Sequence, residues 1–141
     1  MRKWLALGVA LFWVVPMAAA QGRAAANEAK LIAHGKYLVK HVAMCGDCHS
    51  PHNERGEEIA GRELQGTTLE FRPMHPVPGW FSASPAIAGL PGWTRKEAVR
   101  FLMTGLDRSN KHAGPPMPQY RMSHHDAESV VAYLKSLPTG R

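Results

Sequence analysis

Apolar positions fall into blocks of different character along the chain. Trp4 to Val15 is an apolar run of twelve residues, preceded by Arg2 and Lys3 and ended by Pro16. Ala18-Ala19-Ala20 then offers the small residues that a signal peptidase requires. The run is shorter than the ~20 apolar residues of a membrane span. Residues 1–20 are therefore expected to be an export signal cleaved after Ala20, with an uncleaved anchor as the alternative. Residues 21–26 are small and polar and read as a flexible arm. Asn27 is placed to cap a helix. Within that helix Leu31, Gly35, Leu38 and Val42 recur at helical spacing on one face. A glycine inside such a face costs about 1 kcal/mol against alanine. Gly35 is expected where a second helix crosses closely, with Tyr37 as a large packing side chain nearby.

The middle of the chain has a different texture. Residues 50–92 contain Pro51, Pro73, Pro76, Pro78, Pro85 and Pro91. A weak alternation from Gly66 to Phe71 predicts one short strand, and the rest reads as an irregular wrap. Structureless stretches of this length are uncommon in compact domains, unless an apolar body other than a sheet or helix lies beneath them. Trp80, Phe81, Ile87, Leu90 and Trp93 are candidates for such a lining or for ordinary core. Helical pattern then resumes. Thr94-Arg95-Lys96-Glu97 is a capping box, leading through Ala98, Val99, Phe101 and Leu102 to a stop at Gly105. Residues 109–119 return to loop. Ser123 to Asp126 can cap a last helix, whose apolar face is Ala127, Val130, Val131, Leu134 and Leu137 and which Pro138 closes. This helix is the expected partner of Gly35, with Tyr133 as the aromatic contact.

Chemistry enters at Cys45-Gly46-Asp47-Cys48-His49. Cys-x-x-Cys-His is the attachment signature of a c-type haem. Thiols three residues apart on a helical turn share one face and can each take a vinyl group along one porphyrin edge. His49 can then offer an imidazole nitrogen to the iron. The chain contains two cysteines in all, which leaves no thiol for a disulfide framework. A zinc half-site could recruit His52 or His124-His125, but there is no second Cys-x-x-Cys and the histidine pair lacks zinc-ligand spacing. A thioredoxin-like redox pair should follow a strand and open a helix, whereas Ser50-Pro51-His52-Asn53 reads as a loop.

The second iron ligand decides what such a haem does. Met117 stands in Pro115-Pro116-Met117-Pro118, where prolines restrict the backbone and lower the entropy lost in presenting a side chain. A thioether opposite an imidazole raises the potential and closes the iron to other ligands, the arrangement suited to electron transfer. Met122 is the runner-up. Met44, Met74 and Met103 read as core or loop filler. His75, His112, His124 and His125 could give a bis-histidine iron but read as surface residues.

Charge refines the picture slightly. The chain has 17 Lys+Arg and 11 Asp+Glu. Loss of Arg2 and Lys3 with the leader would leave 15 against 11, a net charge of +4. Such a surface could steer the protein to an acidic face on a redox partner, or serve solubility. No lysine or arginine stripe suggests nucleic acid.

Taken together, Gly35-Lys36-Tyr37-Leu38, Cys45 to His49, Ile59-Ala60-Gly61, Ala88 to Thr94, Met117-Pro118 and Ala132-Tyr133-Leu134 resemble the monohaem cytochrome c family. The resemblance extends to cytochrome c subunits of bacterial periplasmic dehydrogenases. It implies an all-α fold with crossed N- and C-terminal helices around one covalent haem c. The domain would span residues 27–138, with a tail at 139–141. It implies His49 as proximal and Met117 as distal iron ligand, with Cys45 and Cys48 as thioether anchors and no catalytic residues. The implied role is a periplasmic one-electron carrier, with a dehydrogenase as donor and an oxidase or another cytochrome as acceptor. Membrane association would come through a partner or an uncleaved N-terminus. An open-site haem protein, binding a gas or acting as a peroxidase, is the alternative. The long Pro-rich middle exceeds that of the smallest family members.

Overall fold

The computed structural model describes residues 14–139. The expected leader lies mostly outside the described residues, as do Gly140 and Arg141 of the tail. The chain divides into two compact units, residues 1–30 and 31–141. Helix α1 runs over Val14–Tyr37 and continues into a π-helical turn, Leu38–Val42. Helix α2 is a single turn, Gly46–His49. Strands β1, Thr67–Thr68, and β2, Ala83–Ser84, form a minimal antiparallel ladder. Helices α3, Arg95–Thr104, and α4, His124–Ser136, complete the all-α framework.

In the first unit the helix passes straight through residues 21–26, all exposed. These residues are helical rather than a loose arm, and Asn27 lies inside α1 rather than at its cap. The alanines flanking Gly22 and Arg23 explain the difference: alanine has the highest intrinsic helix propensity, and two Ala triplets outweigh one glycine. Among the described residues, no helix is long and apolar enough to cross a membrane.

The second unit is built on a helix crossing. A Cβ placed on Gly35 would overlap the backbone carbonyl of Ser129 and stand 2.9 Å from the Cβ of Tyr133. Glycine is therefore required for the end of α1 to touch α4. The expected helix face holds through Leu38, which packs on the core, and then slips. Val39 is fully buried, while Val42 is 57% exposed. The π turn accounts for this: the Ala43 N–H reaches back five residues to the Leu38 carbonyl at 2.7 Å, and the extra residue rotates the chain beyond it about the helix axis.

Helix α4 buries Ala127, Val130, Val131, Tyr133 and Leu134, as its apolar spacing requires. Helix α3 adds Ala98 and Val99. Its capping box is complete, with Thr94 and Glu97 each accepting from the other's backbone N–H, and Gly105 ends it in the left-handed region at φ 73°. An ion pair between Arg95 and Glu128 at 2.7 Å links α3 to α4. A cavity of about 480 Å³ opens beside this pair, between the two helices. No residue of the Cys45–His49 motif lines it.

The expected strand is shorter than its pattern. Pairing covers Thr67 and Thr68, and the Leu69 N–H adds one bond to the Ser82 carbonyl at 2.8 Å. Beyond it Arg72 and Pro76 to Gly79 are exposed, and Met74 is 95% exposed. Pro73, Pro76 and Pro78 break any ladder there.

Candidate functional site

Cys45, Cys48 and His49 lie on or beside the single turn α2. That turn is short because Pro51 follows and excludes Ser50 from helical geometry; Ser50 is extended, at φ −116° and ψ 145°. Both thiols are free and partly exposed. Burial pushes the Cys45 thiol up to about 11, and Cys48 is also raised. A dithiol exchange centre needs the opposite, a stabilised thiolate. Among the described residues, no group of three or more His, Cys, Asp or Glu side chains is placed to hold a metal ion.

His49 is 7% exposed. Its Nδ1 lies 2.8 Å from the carbonyl oxygen of Pro85. A carbonyl can only accept, so Nδ1 carries the proton and Nε2 keeps its lone pair. Burial lowers the His49 pKa, and the bond to Pro85 opposes this only in part, which keeps the ring neutral. Among the described residues, Nε2 has no hydrogen-bond partner. Yet no buried side-chain nitrogen or oxygen among the described residues lacks one. It follows that Nε2 opens onto accessible space. An oriented, neutral imidazole with a free lone pair beside two free thiols is a donor set that fits a haem c.

The shell behind the motif is polar and well connected. The Ser50 hydroxyl is fully buried, donates to Glu58 at 2.7 Å and accepts from the Leu64 N–H at 2.9 Å. Lys40 reaches the other Glu58 oxygen at 2.5 Å. Burial would raise the Glu58 carboxyl, but hydrogen bonds from Lys40 and Ser50 outweigh it and the pKa falls. A Cβ on Gly46 would overlap this carboxylate, so the residue after Cys45 must be glycine for Glu58 to sit there. The Gly66 N–H donates to the His49 carbonyl at 2.7 Å, and the Ser84 hydroxyl donates to that of Cys48.

Met117 lies in a loop where its own N–H bonds the Gly114 carbonyl at 3.2 Å; the Pro115–Pro116 peptide is cis. It is partly exposed and is not among the residues packed on the core. Met122 and Met103 do pack on the core, and the Met122 N–H bonds the Leu102 carbonyl at 3.1 Å. Met74 is exposed in the 71–81 loop, and Met44 is 52% exposed beside Cys45. His75, His112, His124 and His125 are exposed. Of the expected lining, Leu90 is buried, while Ile87 and Trp93 pack on the core. Trp80 meets Phe71 edge-on, with ring centroids 5.8 Å apart.

Three supporting groups carried little sequence signal. Tyr120 donates to the Ala43 carbonyl at 2.9 Å, tying the Met117 side of the chain to the approach of the motif, and burial pushes its hydroxyl up to about 12. A tyrosine near a candidate ligand is a fair pointer, because a buried phenol needs a partner. Glu58 and Pro85 had none, since each gains its role from a distant segment.

Comparison with known proteins decides the family. Residues 32–138 match the family model for cytochrome c. The chain belongs to the cytochrome c family. The family implies a covalently bound haem c, and this cytochrome carries the two cysteines at the required spacing. It is 29% identical over 115 residues to the cytochrome c subunit of a quinone alcohol dehydrogenase from Gluconobacter oxydans, covering 76% of this chain and 24% of that protein. It is 26% identical over 114 residues to the fructose dehydrogenase cytochrome subunit of Gluconobacter japonicus, covering 74% and 21%. A dihaem cytochrome c-type protein of Cereibacter sphaeroides is 26% identical over 141 residues, covering 96% and 42%. The chain thus spans about a quarter or less of the two dehydrogenase subunits and under half of the third relative. These relationships support a c-type cytochrome in electron transfer.

Proposed function

We propose that this cytochrome carries one haem c, bonded through Cys45 and Cys48 and ligated by His49 Nε2 and Met117 Sδ, and passes single electrons between proteins. The observation that supports this most is the state of His49. Its Nδ1–H is donated to Pro85, and Nε2 is left free and accessible beside two thiols. A haem held there would supply an Fe(III)/Fe(II) couple whose potential a thioether ligand raises. The protein's part is to fix the imidazole, keep it neutral and present Met117 from a loop that is not committed to the core. Met117 is preferred to Met122 because the Met122 side chain already packs on the core.

The proposed setting is the bacterial periplasm, reached through a leader over residues 1–20 cleaved after Ala20. The donor is a dehydrogenase, by analogy with the named relatives, and the acceptor an oxidase or another cytochrome. The test is spectroscopic. Oxidised protein matured in a host that attaches haem should show the long-wavelength sulfur-to-iron charge-transfer band. Reduced native protein should not bind carbon monoxide avidly. Avid binding without the band would instead establish an open-site haem protein.

A further inference from the structure

One short segment touches both sides of the proposed centre. Residues 79–85 follow the exposed loop and run through β2. At one end the Pro85 carbonyl accepts from His49 Nδ1, and the Ser84 hydroxyl donates to the Cys48 carbonyl. At the other end the Phe81 N–H donates to the Pro115 carbonyl at 2.8 Å. There the segment also meets Gly114 closely. A Cβ on Gly114 would overlap the Phe81 ring and stand 2.8 Å from the Gly79 carbonyl oxygen. Gly114 is in turn bonded through its own carbonyl to the Met117 N–H. An unbroken path of bonds and contacts thus joins His49 to the backbone of Met117 through the single stretch 79–85.

We propose that residues 79–85 act as a positioning strap, setting the reach of Met117 from the same backbone that orients His49, with Gly114 as the seat that must lack a side chain. The proposal rests on Met117 being the distal ligand. A backbone strap suits this work because β2 is pinned on both flanks, by Thr67 and Thr68 and by His49, whereas the loop before it is exposed. Phe81 is itself 60% exposed, so core burial does not account for its ring. Its contacts instead face the Met117 loop. Phe81 and Gly114 are positioning residues, since neither would touch the iron.

If the strap is correct, an added methyl at Gly114 pushes the Met117 loop outward and raises the fraction of molecules with an open iron position. The apparent affinity for an added ligand scales with that fraction. Holoprotein is titrated with imidazole in the oxidised state, and the sulfur-to-iron band is recorded. Gly114→Ala is expected to weaken the band and raise imidazole affinity about tenfold or more. Phe81→Ala, which keeps the backbone bond, should move both in the same direction by less. It also serves if Gly114→Ala does not fold. The double variant should recover only part of the Gly114→Ala effect, because the ring overlap is gone while the Gly79 carbonyl oxygen still lies 2.8 Å from the added methyl. Val130→Ala, a core change, should lower the unfolding midpoint without moving imidazole affinity. Unchanged affinity in both Gly114→Ala and Phe81→Ala, with Met117→Ala abolishing the band, overturns the strap and leaves Met117 as ligand. Retention of the band in Met117→Ala overturns the ligand assignment and the strap with it.

Discussion

The two sides of the proposed centre are built differently. The His49 side is a closed polar shell: the imidazole, Ser50 and Glu58 are each bonded to a distant segment, and Ser50 and His49 are buried. The Met117 side is a proline-rich loop, partly exposed, held mainly by bonds to the carbonyls of Pro115, Gly114 and Ala43. One side is fixed by side-chain chemistry that cannot be removed without leaving buried groups unpaired. The other is held by those carbonyl bonds and a close contact at Gly114. Damage to the first should therefore appear as lost stability, and damage to the second as altered ligation.

That contrast can be broken in order of effect. Gly46→Ala should cost most, because the new methyl displaces the Glu58 carboxylate from both Lys40 and Ser50. A loss of about 3 kcal/mol in urea unfolding is expected. Ser50→Ala leaves the buried Leu64 N–H and one Glu58 oxygen unpaired and should cost about 2 kcal/mol in the same assay.

Glu58→Gln tests charge alone. The folded carboxyl lies below its ordinary 4.5, so its contribution is full above that pH and lost as the pH falls through the lower folded value. Lys40 moves the other way: burial lowers it, Glu58 more than compensates, and its contribution is full below 10.5 and lost as the pH rises through the raised folded value. The variant should flatten the decline in stability that sets in as the pH falls below about 4.5. An unchanged acid limb would show that Glu58 gains nothing from ionisation. Met117→Ala should disturb unfolding least of the set while removing the charge-transfer band. A stability loss larger than that of Ser50→Ala would erase the distinction between the two sides.

Much of this architecture is legible in local pattern. The Thr94–Glu97 box, the Gly105 stop and the α4 face are short-range devices, and the structure reproduces each. Gly35 is legible as a crossing because its cost inside a helix demands a reason, and Ser129 supplies it. Two features escape for physical reasons. The π turn at Leu38–Val42 moves burial from Val42 to Val39, and no propensity marks such an insertion. The helix through residues 21–26 comes from summed alanine propensity, which small size and polarity alone do not reveal. The motif Cys45–His49 announces its own chemistry. Its supports at Glu58, Tyr120, Ser84 and Pro85 come from segments ~10 to 80 residues away along the chain, so only folding brings them to the site.

The most direct test of the centre is the intact mass of the exported product, expressed in a host that matures c-type cytochromes and followed by peptide mapping. The expected result is one haem retained under denaturing extraction, on the peptide containing Cys45 and Cys48. A colourless product with two unmodified thiols, or a haem that extracts freely, would contradict the account.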